Sequence, residues 1–280
     1  KAAAGLYNQY LTALNTQDFE MSQFLDYYYP ITDVDPISAQ HYIVGIEGKL
    51  LPSIDYKVTA YFKGLDRLYR FDYINTLESV MNYSARLEPG RGKSYGLEMD
   101  VSGSYGRLSG WGSYTLSRST RSFPSIQNGV EYLADSDQTH SLKALVIYGL
   151  TSDVTASATL KVSSGSPHTW ETTNVFHYSY DPSDNSFGYY PMAITPAKNN
   201  VRYPPRIILD IGWKKRLRTG FGHRLAEYIG TDQAYFTVAV QNLLFLHRNP
   251  VFYMKIPGYG NYAYDYQLFP TVQAGYSIKF

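Results

Sequence analysis

Apolar and polar residues alternate along most of the chain. At its C-terminal end Val272, Ala274, Tyr276, Ile278 and Phe280 interleave with Gln273, Gly275, Ser277 and Lys279, and a period of two predicts a strand with one apolar and one polar face. The clearest case is Ile54, Tyr56, Val58, Ala60 and Phe62 against Asp55, Lys57, Thr59, Tyr61 and Lys63. A strand end at 6–14 and further alternation over 40–50, 93–103, 108–119, 139–150, 154–163, 207–213 and 236–240 bring the expectation to about ten strands. Each is near the ~9–11 residues that a tilted membrane strand requires. Short turns are expected at 51–53, 104–106 and 151–153, and long loops at 15–39, 67–92, 118–138, 164–204 and 246–268. Loop length thus alternates with strand parity, as in outer-membrane barrels with short periplasmic turns and long outer loops. The connection at 217–232 is the poor fit, being too long for a tight turn.

A soluble β-sandwich or propeller would alternate as well. Against it, the long loops share one parity, and loops of that length are uncommon in compact domains without a functional cause. The polar face also carries charge in strand middles, at Lys57, Glu98, Asp100, Lys161 and Asp210, which a water-filled lumen tolerates and a dry core does not.

Composition sharpens this reading. The chain holds 29 tyrosines at a mean hydropathy of -0.31, a combination that suits a tyrosine-girdled barrel better than a packed core. No apolar run approaches the ~20 residues of a membrane helix, so a membrane-spanning chain of this kind has to be a closed barrel. A net charge of +1 gives no signal for nucleic acid. The absence of cysteine excludes disulfides and thiolate metal sites and is compatible with an oxidising periplasm. The opening Lys1-Ala2-Ala3-Ala4-Gly5 carries no signal-peptide pattern, so a mature chain or a fragment is expected.

Several segments resemble the C-terminal part of TonB-dependent outer-membrane receptors. They are Gly5-Leu6-Tyr7-Asn8-Gln9, Gln40-His41-Tyr42-Ile43-Val44-Gly45-Ile46-Glu47, Tyr95-Gly96-Leu97-Glu98 with Trp111-Gly112-Ser113-Tyr114-Thr115-Leu116-Ser117, Val240-Gln241-Asn242-Leu243-Leu244, and the terminal aromatic strand. Each motif is weak alone, whereas their order and spacing together are fairly specific. The resemblance implies an all-β transmembrane antiparallel barrel of about 22 strands, of which residues 1–280 supply about ten at the C-terminal end. The plug domain with its energy-coupling box and the N-terminal strands are then expected outside this chain. An open half-barrel leaves two bare strand edges, so it has to pair with those strands. By the same resemblance the function is TonB-dependent uptake of a scarce nutrient across the bacterial outer membrane, with no enzyme activity and no cofactor. The implied partners are outer-membrane lipid, the remaining strands and plug, and the TonB complex through the missing part. The resemblance also leaves room for a surface lipoprotein.

Tyr has a flat apolar face and a hydroxyl, which suits sugars, peptides or chelate rings. Trp170, Tyr178, Tyr180, Tyr189, Tyr190, Tyr259, Tyr262, Tyr264 and Tyr266 in the outer loops are the candidate substrate-binding residues, although any single ring also fits an aromatic girdle or loop self-packing. Six scattered histidines form no metal motif, His168 and His177 with Glu171 being the best set. Asp33/Asp35, Asp135/Asp137 and Asp181/Asp184 could hold Ca²⁺ but read more simply as turn residues. The alternatives are a complete small outer-membrane barrel acting as an adhesin or binding protein, or a rim-active protease using His140 with Asp135 and Asp137.

Overall fold

A computed structural model describes residues 1–10, 12–13, 28–29, 35–71, 87–169, 173–183, 185–194, 197–231, 233–245, 249–256, 260–266 and 269–279. Ten strands join into one antiparallel sheet: β1 (Ala2–Gln9), β2 (Ile37–Leu51), β3 (Ile54–Phe71), β4 (Leu87–Tyr105), β5 (Leu108–Ser122), β6 (His140–Gly149), β7 (Val154–Ser163), β8 (Arg206–Leu217), β9 (Ala234–Gln241) and β10 (Thr271–Ile278). They pair in chain order, and the short strand Tyr132–Leu133 adds to β5 as the eleventh. Among the described residues β1 and β10 each keep one unpaired edge.

Register shows why alternation dominates the sequence. One row of directly opposed residues runs Ile54, Gly103, Gly110, Val146, Ala158, Ile211, Val240 and Val272 across eight strands. A second runs Ile46, Val58, Met99, Tyr114, Leu142, Val162 and Ile207. Opposed residues share a face, so every strand's apolar set falls on the same side. The rows between are polar: Glu47, Lys57, Asp100, Ser113, Lys143 and Lys161 form one of them.

No second layer covers the apolar side among the described residues. The buried apolar residues there are Leu87, Phe123, Ala134, Ala226 and Ala234, all at the two rims. In the body of the sheet Val44, Ile46, Phe62, Met99, Val101, Leu116, Val146 and Ile211 lie exposed. A soluble sheet covers that face, because a contiguous exposed apolar patch of more than a few hundred Å² is rare on soluble monomers.

The connections sort by rim. Tight turns join β2 to β3, β4 to β5 and β6 to β7, and at the second of these Gly106 supplies a φ of +60°, as a two-residue hairpin requires. The strands run on as far as Tyr105 and Leu108, so the turn is Gly106-Arg107 rather than the expected 104–106. At the opposite rim β3 and β4, with 18 and 19 residues, extend well into the stretch expected to be loop. Exposed ion pairs line this extension: Arg67–Asp35 at 3.4 Å, Arg91–Asp66 at 3.3 Å and Lys93–Glu131.

Two of the expected loops contain hairpins, Thr173–Asp181 with Ser186–Ile194 and Asn249–Ile256 with Gly260–Tyr266. Aromatic residues on both faces and internal Pro and Gly hide the period of two there. The long 217–232 connection contains a helix, α1 (Phe221–Tyr228). No helix among the described residues is long and apolar enough to cross a membrane, which says nothing of crossing by strands.

Candidate functional site

The hairpin Thr173–Asp181/Ser186–Ile194 brings three of the tyrosines singled out in the sequence onto one small surface. Its turn is fixed locally, since Asp181 Oδ1 accepts from the Ser183 amide at 2.9 Å and from the Ser183 hydroxyl at 2.6 Å. Those bonds hold the Asp181 carboxyl below its usual range. Register then sets Tyr178 opposite Tyr189 and Tyr180 opposite Phe187. The ring centroids are 6.2 Å and 5.0 Å apart respectively, within the range of favourable aromatic pairs. The Tyr180 hydroxyl donates to Asn185 Oδ1 at 2.7 Å. Even so the rings face outward, Tyr178 being 71% and Tyr189 68% exposed. The surface is a ladder of four rings, and residues 173–194 contain no lysine or arginine.

Tyr190 pairs in register with His177, one residue out of phase with the ladder. Tyr262, Tyr264 and Tyr266 alternate along the second hairpin, opposite Met254, Phe252 and Asn249. Trp170 and Tyr259 lie outside the described residues.

A polar cluster at the loop-side rim was not foreseen. Asp137 is fully buried and receives Arg202 Nη2 at 2.5 Å, the Ser119 amide at 2.5 Å and the Thr139 hydroxyl at 3.2 Å. Arg202 also donates to Thr139 Oγ1 at 2.9 Å and to the Gly165 carbonyl at 3.0 Å. Beside it Asn199 Nδ2 donates to the Leu133 carbonyl and to Asp135 Oδ1, both at 2.6 Å. This latch ties the 123–139 connection to the base of the 164–205 excursion, so both aspartates are structural anchors. His140 is engaged elsewhere, its Nδ1 lying 2.8 Å from the Tyr114 hydroxyl. The three residues of the protease alternative therefore meet other partners. Nothing in the sequence spacing connects Arg202 to an aspartate 65 positions away.

His168 belongs to the same rim, stacked on Tyr203 at 4.1 Å with the planes 10° apart. Burial pushes its imidazole below the ordinary 6.5. The folded state thus binds fewer protons than the unfolded one, and the stability this confers is present above pH 6.5 and lost as pH falls through the lowered value. Protection of the amides of 165, 166, 168 and 201–203 against exchange, taken relative to the intrinsic rate at each pH, is expected to fall between pH 7.5 and pH 5 in the native protein and to lose that dependence in His168→Phe. Equal pH dependence in both would contradict it. Among the described residues no group of three or more His, Asp or Glu is placed to hold a metal ion.

The polar face of the sheet carries charge of both signs. Glu47, Lys57 and Asp100 alternate in sign across three strands, and Lys161 Nζ lies 3.5 Å from Asp210 Oδ2. Such pairs contribute little stability where water reaches them.

No family model and no curated protein matches the chain in sequence. Solved structures match in shape. The chain is similar to the ferripyoverdine receptor of the outer membrane of Pseudomonas aeruginosa bound to ferripyoverdine, at TM-score 0.47 and 12% identity, covering 77% of this chain and 24% of that one. The FpvAI–pyocin S2 complex gives TM-score 0.46 and 13% identity over 75% of this chain and 24% of that one. FpvA of P. aeruginosa bound to heterologous pyoverdines gives 0.48 and 13% over 77% and 24%. The chain therefore spans about a quarter of the length of the receptors it matches.

Proposed function

We propose that this chain is the C-terminal part of the barrel of a TonB-dependent uptake receptor in the bacterial outer membrane. The observation that carries the reading is the inverted sheet: an uncovered apolar face shared by consecutive strands, backed by a charged one, with short turns at one rim and long excursions at the other. In lipid the apolar face needs no second protein layer, and charge on the other face suits a wet conduit. The free edges of β1 and β10 would be satisfied by further strands of the same barrel. Plug, energy-coupling box and TonB contact belong to those further parts, and a surface lipoprotein is compatible with the long outer excursions.

Substrate recognition is assigned to the ring ladder Tyr178, Tyr180, Phe187 and Tyr189, with Tyr262, Tyr264 and Tyr266 contributing from the second hairpin. A ring surface without cations suits a neutral ligand with flat or ring-shaped parts better than a polyanion. Replacing Tyr178 and Tyr189 together by alanine is expected to weaken substrate capture about tenfold, the scale of one lost aromatic pair at ~0.5–1.5 kcal/mol. It should leave the amount of inserted protein unchanged. Growth on a panel of limiting iron chelates, cobalamin and oligosaccharides, with this receptor as the sole route, reads the effect; undiminished growth across the panel would remove the ladder from recognition.

A further inference from the structure

We infer that α1 and the residues around it form an interfacial anchor that binds the headgroups of anionic phospholipid in the leaflet at the short-turn rim; this rests on the membrane reading above. The helix lies on the apolar side of the sheet. A Cβ on Gly222 would stand 2.9 Å from Leu217 Cδ1 and 3.7 Å from the Tyr276 ring, and register puts Leu217 and Tyr276 on the apolar face. Ala226 of the helix is fully buried.

What the helix turns away from the sheet is an apolar surface bordered by charged residues. Phe221 is 83% and Tyr228 90% exposed, and Leu225 and Ile229 are exposed beside them. At 100° per residue Phe221, Leu225 and Tyr228 fall in one sector with Arg224 at its border. Glu227 stands about 60° beyond Arg224 on the same exposed side and is engaged by His223 at 3.3 Å, so the sector of Phe221, Leu225 and Tyr228 itself holds no carboxylate.

The adjoining strand continues the pattern. Lys215 is exposed on the apolar face between Trp213 and Leu217, a position where a lysine reaches headgroup phosphate while its stem covers apolar surface. Beside it Trp213, Phe236 and Tyr276 form a run of rings with centroids 6.2 Å and 4.9 Å apart, the belt expected at a membrane–water boundary. An apolar stripe, bordering cations and continuity with the lipid-facing band are the features of a helix lying in an interface. The positive charge selects anionic over zwitterionic headgroups.

The test uses the intact protein inserted in vesicles, with a spin label on Tyr228→Cys; this chain contributes no competing cysteine. A second label on Ala274→Cys marks the apolar band. Collision with a water-soluble nickel chelate reports depth. The anchor predicts that label 228 is shielded about fivefold better in vesicles containing phosphatidylglycerol than in pure phosphatidylcholine. Lys215→Gln with Arg224→Gln should abolish that difference while label 274 stays shielded. Label 228 open to nickel in both lipids, with 274 shielded, overturns the anchor and leaves the membrane reading standing. Label 274 open to nickel overturns both.

Discussion

Arginine in place of Val146 is expected to destabilise the inserted protein by about 2–4 kcal/mol, the cost of a cation on the lipid face near the middle of a barrel strand. Val146 is 45% exposed and sits in the row between Gly110 and Ala158. In a soluble sheet a substitution at so open a position would fall within ~0.5 kcal/mol, so the size of the effect identifies the solvent on that side. The matched control is Thr159→Arg on the opposite face, directly across from Asp210. There the new cation meets water and a carboxylate, and the change should stay below about 1 kcal/mol. Denaturant unfolding in vesicles, followed by loss of the folded band on unheated gels, measures both. Equal costs at the two positions would mean that the two faces see the same medium.

The second large effect concerns the latch. Arg202→Met keeps most of the side-chain bulk and removes the cation from the fully buried Asp137. An uncompensated buried carboxylate costs about 3 kcal/mol, the low end for such pairs because Arg202 itself is partly exposed. This falls on the docking of the 164–205 excursion and leaves the sheet in place. Two backbone bonds report it directly, Tyr203 N to Ser166 O at 3.0 Å and Ser164 N to His140 O at 2.9 Å, and exchange of these amides should speed up about a hundredfold. Adding Asp137→Asn should recover part of the loss, since the residual penalty is then that of a neutral amide. Unchanged exchange in Arg202→Met would show that the excursion is held by other contacts.

How much was legible followed from what each part depends on. The ten strands were readable because β-periodicity is local: Val58 and Lys57 disclose opposite faces without knowledge of any partner, and the register only joins such local choices into rows. The hairpins were missed where both faces carry rings or where Pro and Gly interrupt the period, as in Phe176 to Pro191. The helix at 221–228 was hidden by its length, since eight residues give barely two turns of amphipathic pattern. The latch was out of reach because Asp137, Asn199 and Arg202 meet only after two separate connections fold together. Tyr178 and Tyr189 were candidates by composition alone, and their apposition required the 181–186 turn to set the register.

The central claim is that one face of this sheet meets lipid and the other meets water. Single cysteines at successive positions 155–162 of β7, in the intact protein inserted in vesicles and probed with a membrane-impermeant thiol reagent, test it most directly. The account predicts a period of two: fast labelling at Thr155, Ser157, Thr159 and Lys161, and protection at Ala156, Ala158, Leu160 and Val162. Uniform labelling along the strand, or the opposite phase, would contradict it.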